Sequence, residues 1–117
     1  MDLKQTTVAA NEWIAAWNSG NLEKILDRYT DDVILYSAAA KRRWNAAEGK
    51  LTGKGAVENH FLKAFEEVPG MQLEFVTLLT GTEGVLLIYK RETGKIAADL
   101  VLFDDLGKIK EVRVFNE

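Results

Sequence analysis

The sequence contains no cysteine and only one histidine among its 117 residues. The absence of cysteine excludes disulfides, thiolate nucleophiles and cysteine-based metal sites. A single histidine without clustered carboxylates is a poor set of metal ligands, so we predict neither a metal nor an organic cofactor. A chain without cysteine also fits a reducing compartment, and we therefore predict a cytoplasmic location.

Long apolar runs and excess positive charge are also missing. No apolar stretch approaches membrane-spanning length, and residues 1–5 lack the apolar segment of a signal peptide, so we expect neither feature. The formal net charge is -3, the pI is about 5.2, and the only basic run is Lys41-Arg42-Arg43. This charge provides no broad field for a polyanion, so we do not predict nucleic acid as a partner.

The composition is typical of a globular protein. Hydrophobic residues make up 47% and charged residues 28% of the chain. A chain of this length forms one core and has no room for a second, so we predict a single domain over residues 1–117.

Apolar spacing predicts three helices in the first part of the chain. Side chains recur at i, i+3, i+4 and i+7 over 6–19, again over 22–29, and again over 54–67. A β-branched and aromatic run at 33–36 predicts a strand after the second helix. Residues 38–53 show no clear period, and we interpret them as a long mobile loop.

The second part of the chain is typical of a β-meander. Four β-rich stretches, near 71–79, 84–91, 95–103 and 108–116, are separated by segments with hairpin chemistry. Helices followed by such a meander predict an α+β fold, with three N-terminal helices packed on one face of a bent, mostly antiparallel sheet.

Local motifs resemble those of the nuclear-transport-factor-2-like superfamily and its SnoaL-like and ketosteroid-isomerase-like members. The segments 13–22 and 29–33 (WIAAWNSGNL and YTDDV) are similar to that family's helix-Gly-Asp/Asn-helix opening and the "ADDA/V" motif that follows it. The segment 51–57 (LTGKGAV) resembles its entry to the third helix, and 103–109 (FDDLGKI) resembles its last hairpin. The resemblance implies a cone-shaped fold around one pocket.

The resemblance leaves the function open, since this fold includes ketosteroid isomerases, polyketide cyclases, dehydratases, epoxide hydrolases and non-catalytic binding or dimerisation domains. By alignment with the isomerases, Ser37 stands where they have a general base, and Trp13 where they have a tyrosine donor. Asp99 matches their second oxyanion donor. One of three catalytic positions is therefore retained, which argues against steroid isomerisation by the family mechanism.

Asp99 and His60 are the candidate catalytic residues. Apolar residues flank Asp99, so burial should raise its pKa. The alternative is a carboxylate paired with a backbone N–H or a basic side chain. His60 aligns with a pocket-facing position of the third helix and would carry protons near neutral pH. Its alternative is a partly buried helix residue without a chemical role.

Several further residues are candidates for binding a ligand. They are Trp13, Trp17, Tyr29, Ser37, Trp44, Val112, Val114 and Asn116. The aromatic ones would equally serve as plain core. Trp44 and the basic run beside it predict either a lid over an acidic or aromatic ligand, or a solvated surface.

Alternation on the last strand gives its two faces different roles. By the family pattern Val112, Val114 and Asn116 face the pocket, whereas Arg113 and Phe115 face the outer sheet surface, through which we expect a homodimer.

Three functions stay open at this point. They are a cofactor-independent isomerase, lyase or cyclase that uses Asp99 and His60, a non-catalytic pocket for an apolar, aromatic or acidic small molecule, and an association module.

Overall fold

The computed structural model describes residues 2–117, in which four α-helices pack on a bent six-stranded sheet. The helices are α1 (Leu3–Asn18), α2 (Leu22–Leu26), α3 (Ala38–Trp44) and α4 (Lys54–Glu67). The strands are β1 (Tyr29–Tyr36), β2 (Lys50–Thr52), β3 (Glu74–Thr80), β4 (Gly84–Lys90), β5 (Ile96–Phe103) and β6 (Ile109–Asn116). The predicted α+β architecture is confirmed.

The first helix begins three residues before its predicted start, because Asp2 and Gln5 form a capping box. The Asp2 carboxylate accepts from the Gln5 backbone N–H, and the Gln5 side chain accepts from the Asp2 N–H. These two bonds satisfy donors that the first helical turn would otherwise leave free. The helix buries Ile14 and Trp17 against the sheet side of the molecule.

The prediction that the second helix reaches Tyr29 was wrong. α2 ends at Leu26, and Tyr29 begins β1, where it pairs in parallel with Ile109. A tyrosine three residues after Leu26 continues a helical period but equally starts a strand, so the local pattern could not separate the two. Pairing with β6, far away in sequence, decides the outcome.

The prediction of a mobile loop over 38–53 was also wrong, and residues 2–117 contain four α-helices where three were expected. Ser37 caps α3 by accepting a hydrogen bond from the backbone N–H of Ala39. A short 3₁₀ turn at Ala47–Gly49 leads into β2, which pairs antiparallel with β1. The segment is therefore fixed at both ends.

The sheet has the strand order β2-β1-β6-β5-β4-β3, and only the β1–β6 pair is parallel among residues 2–117. Register shifts interrupt the ladders within β1–β6, β3–β4 and β5–β6. Such irregularities bend a sheet locally. The mostly antiparallel, strongly bent sheet predicted from the sequence is confirmed.

The two faces of the sheet differ as the alternation on β6 predicts. Val112 is buried toward the helices, whereas Phe115 is 57% exposed on the outer face. The Arg113 guanidinium lies 4.2 Å from the centre of the Tyr36 ring on that outer face. None of the helices within residues 2–117 is both long and apolar enough to cross a membrane.

Candidate functional site

A cavity of about 320 Å³, here called the main cavity, lies between the inner face of the sheet and the helices α1, α3 and α4. Its lining includes all but one of the residues predicted for the site. These are Trp13, Trp17, Tyr29, Ser37, His60, Asp99, Val112, Val114 and Asn116. The exception is Trp44.

Asp99 is the buried acidic group of the cavity wall. It lies on β5, is 4% exposed, and accepts a hydrogen bond of 2.9 Å from the hydroxyl of Tyr89. Burial raises the pKa of Asp99 from 3.8 to about 7, although the Tyr89 hydrogen bond lowers it by stabilising the carboxylate. The pKa of Asp99 thus shifts in the direction expected for a carboxyl with apolar neighbours.

Two tyrosines next to Asp99 remain protonated hydrogen-bond donors. Burial raises the pKa of Tyr89, and the nearby Asp99 charge raises it further. Burial likewise raises the pKa of Tyr29, with the Asp99 charge acting in the same direction. With a pKa of about 7, Asp99 can be either the acid or the carboxylate near neutral pH, whereas both tyrosine hydroxyls keep their protons.

No local pattern in the sequence predicted Tyr89 as a site residue. It lies on β4, and in the β4–β5 hairpin Ala97 is its direct partner while Leu87 is the partner of Asp99. Tyr89 and Asp99 are therefore diagonal neighbours on one face, within reach of an aromatic side chain. Counting strand partners outward from the predicted turn at 92–95 would have identified Tyr89 and Asp99 as neighbours.

His60 has different contacts from Asp99. Its Nδ1 accepts a 3.1 Å hydrogen bond from the Trp44 indole N–H, and the Arg43 guanidinium lies 3.3 Å from the same nitrogen. Burial lowers the pKa of His60 to about 4, and the charge of Arg43 lowers it further. The expectation that this imidazole titrates near neutrality was wrong, because its pKa lies well below the ordinary 6.5.

Trp44 lies at the end of α3 and does not line the main cavity. It is 45% exposed and uses its indole N–H to hold His60. Arg43, one residue earlier, also reaches α4 through a 2.8 Å ion pair with Glu67. The predicted lid is therefore an ordered helix attached to α4, and Arg42 and Arg43 line the cavity instead of Trp44.

Aromatic rings form much of the remaining wall. Trp13 meets Tyr89 and Trp17 edge to face, with ring centres 5.9 and 5.8 Å apart. Trp17 makes a similar contact with Phe61 at 4.8 Å. Edge-to-face pairs at these distances are favourable and hold the rings in place.

A second, smaller cavity of about 70 Å³ lies on the other side of this wall. Trp13, Tyr29, Asp99 and Val112 line both cavities. Asp99 therefore stands in the partition between them. Among residues 2–117, no three His, Asp or Glu side chains cluster as metal ligands.

Helices packed on a bent sheet around an aromatic cavity with a buried carboxyl place this chain among the small α+β domains. The family model of the SnoaL-like domain matches residues 10–112. The chain belongs to the SnoaL-like family, as its motifs had indicated. No curated protein matches the sequence.

Solved structures share the fold at low sequence identity. A SnoaL-like protein of unknown function from Burkholderia thailandensis superposes with a TM-score of 0.94 at 23% identity, over 99% of this chain and 97% of that one. An NTF2-like protein of unknown function from Cytophaga hutchinsonii gives 0.68 at 18%, over 91% and 84%. The epoxide hydrolase/cyclase-like enzyme SalBIII, which has a role in pyran ring formation in salinomycin, gives 0.73 at 17%, over 100% and 95%.

Proposed function

We propose that this SnoaL-like domain binds a small apolar or aromatic molecule in the main cavity and acts on it as a cofactor-independent isomerase, lyase or cyclase. The observation that carries the proposal is Asp99, a buried carboxyl with a pKa of about 7 on the wall of an aromatic cavity. A general acid or base is most effective when its pKa lies near the working pH. We further propose that the protein works in the cytoplasm.

In this proposal Asp99 carries the proton. As a carboxylate it would remove a proton from a carbon next to a carbonyl group, and as the acid it would return that proton elsewhere on the ligand. Tyr29, whose hydroxyl keeps its proton, would donate a hydrogen bond to the oxygen on which negative charge develops. Tyr89 would hold the Asp99 carboxylate in position through their 2.9 Å hydrogen bond.

His60 has a smaller part in the proposal than the sequence suggested. An imidazole with a pKa of about 4 is neutral at pH 7 and seldom takes up a second proton. The neutral ring can still donate one hydrogen bond. We therefore propose His60 as a hydrogen-bond donor to the ligand and Asp99 as the only group that exchanges protons.

The test is a thermal-shift screen followed by mass spectrometry on each ligand found. The panel contains steroids, aromatic polyketide-like compounds, terpenoids, fatty acids and small carboxylates. We expect Asp99→Asn to bind such a ligand as the wild type does, because an asparagine oxygen still accepts from Tyr89. Conversion should fall by about a hundredfold or more, since the amide cannot exchange the proton.

Asp105→Asn is the matched control, because it removes the same charge from an exposed turn. It should convert the ligand at the wild-type rate. Undiminished conversion by Asp99→Asn would contradict the proton-transfer role. A ligand that binds and that not even the wild type converts would favour the non-catalytic binding function.

A homodimer through the outer sheet face is a second proposal, which the exposed Phe115 favours. Phe115 lies on the outer face of β6, where Leu100 on β5 and Ile88 on β4 are also partly exposed. An apolar surface of this kind commonly marks a protein contact. We expect sedimentation to show a wild-type dimer, and Phe115→Asp to raise its dissociation constant by at least about tenfold.

Leu106→Asp is the control for this experiment. Leu106 is 89% exposed but lies in the β5–β6 turn, away from the outer face of the sheet. It should leave the dimer intact. A wild type that sediments as a monomer at high concentration would overturn the dimer proposal.

A further inference from the structure

The charged side chains that line the main cavity lie in three places. Asp99 lies on the sheet, whereas Arg42 and Arg43 line the cavity from the last turn of α3. Arg91 also lines the cavity, but its guanidinium is paired with Glu92 at 3.3 Å. The helical end of the cavity therefore carries the surplus of positive charge.

The two arginines of α3 differ in their partners. Arg43 uses Nε and Nη2 to bind one oxygen of Glu67, at 3.1 and 2.8 Å, which leaves Nη1 turned toward His60. Arg42 makes no ion pair with any residue in the range 2–117. Its charge is thus available to a molecule in the cavity.

His60 adds an uncharged donor at the same end. The indole N–H of Trp44 can only donate, so Nδ1 of His60 is the acceptor of their 3.1 Å bond. The proton of the neutral ring is therefore on Nε2. The polar atom within hydrogen-bonding distance of Nε2 is Arg43 Nη1 at 3.5 Å, and a guanidinium has no acceptor to offer.

This arrangement leaves the Nε2–H of a largely buried histidine facing another donor and no acceptor. His60 is 5% exposed and lines the cavity, and its Nε2–H has no acceptor within residues 2–117. Burying an unpaired N–H is unfavourable, so such a group indicates an acceptor that the protein itself does not supply. The adjacent guanidinium groups favour an acceptor that carries negative charge.

We propose that the ligand of this protein carries a carboxylate, which binds between Arg42, Arg43 and His60 at the helical end of the main cavity. One carboxylate oxygen accepts from His60 Nε2–H, and the group as a whole pairs with Arg42 and with Nη1 of Arg43. The apolar body of the ligand then extends along the aromatic wall toward Asp99. This inference rests on the proposed function, since it assigns the polar group of the same ligand.

The proposal also separates the two ends of the ligand. The carboxylate is held at α3 and α4, whereas the carbon that loses a proton lies next to Asp99 on β5. The two groups must then be separated by an apolar or aromatic spacer. The substrate class is therefore an acid with an apolar or aromatic body and an enolisable position away from its carboxylate.

Matched pairs of an acid and its neutral amide test the proposal directly. The pairs are 2-naphthoate with 2-naphthamide, benzoate with benzamide, and decanoate with decanamide, titrated while the tryptophan fluorescence is followed. We expect at least one acid to bind more tightly than its amide. Arg42→Gln should weaken binding of that acid at least about tenfold and leave the amide unchanged.

Lys41→Gln is the matched control, because Lys41 is the preceding residue of α3 and does not line the main cavity. It removes the same charge and should leave both affinities unchanged. Equal affinities for an acid and its amide, with no effect of Arg42→Gln, would overturn the carboxylate site but leave a small-molecule cavity standing. No binding by any of the six compounds would overturn both the carboxylate site and the proposed function.

Discussion

The difference in free energy of unfolding between Asp99→Asn and the wild type is expected to depend on pH. It should favour the variant by about 4 kcal/mol more at pH 8 than at pH 4. The folded state raises the pKa of Asp99 from 3.8 to about 7. The folded state therefore binds this proton more tightly than the unfolded chain. The stability that the proton contributes is fully present below pH 3.8 and is lost as the pH rises through 7. Each tenfold difference in proton affinity corresponds to about 1.4 kcal/mol, which gives the expected size.

His60 acts in the opposite direction over part of the same range. Its folded pKa is about 4 against the ordinary 6.5, so the unfolded chain takes up a proton first as the pH falls. The neutral ring contributes stability above pH 6.5 that is lost as the pH falls through 4. The wild-type curve alone would partly hide both effects. The difference between wild type and Asp99→Asn removes the His60 contribution, because both proteins contain that residue.

The measurement is the free energy of unfolding in urea for both proteins at pH values from 4 to 8. Asp105→Asn is the control, since it removes an exposed carboxylate from the β5–β6 turn. Its curve should run nearly parallel to that of the wild type. Parallel curves for Asp99→Asn as well would show that Asp99 titrates alike in the folded and unfolded states, and would contradict the site described above.

Gly84→Ala is expected to lower the free energy of unfolding by about 3 kcal/mol. Gly84 begins β4 and pairs with Leu102 on β5. A Cβ at this position would overlap the backbone carbonyl oxygen of Val101 and lie 2.9 Å from its carbonyl carbon. Both obstacles are backbone atoms within a ladder, so no side-chain rotation can relieve the overlap. The β4–β5 hairpin that holds Tyr89 against Asp99 would have to shift.

Gly55→Ala provides the contrast for this second experiment. Gly55 lies in the first turn of α4, and a Cβ there would meet nothing within 4 Å. Alanine should be neutral or stabilise the protein by up to about 1 kcal/mol, because it reduces the freedom of the unfolded chain. Urea unfolding of both variants gives the comparison. Equal stabilities would contradict the close approach of β4 to β5.

Local patterns predicted the elements whose signals are close together in sequence. α4 has its predicted bounds, Lys54–Glu67, because its apolar period lies between Gly53 and the Pro69-Gly70 pair. The four strands of the meander lie within a few residues of their predicted positions, since turn residues separate them. By contrast, α3 is only seven residues long. Its order depends on Ser37 as a cap and on the pairing of β2 with β1, which no local period contains.

The candidate site likewise has features that the local sequence predicted and features that depend on tertiary contacts. The apolar neighbours of Asp99 were enough to predict that burial would raise its pKa. The tyrosine that holds Asp99 required the register of a hairpin. The pKa of His60 depends first on burial and then on Arg43, 17 residues earlier in the chain. The period of α4 places His60 on a helix face but does not say which side chain of α3 lies opposite.

The sequence by itself determined the fold class, because the signals of most helices and strands lie close together in the chain. The resemblance to the family implied which face of β6 points inward, and the apolar neighbours of Asp99 indicated that burial would raise its pKa. Only the tertiary structure decided the chemistry around that acid. Strand pairing placed Tyr89 beside Asp99, and the packing of α3 on α4 placed two arginines next to His60. Desolvation and charge act through space, so the protonation states of Asp99 and His60 were fixed by groups that the fold brings together.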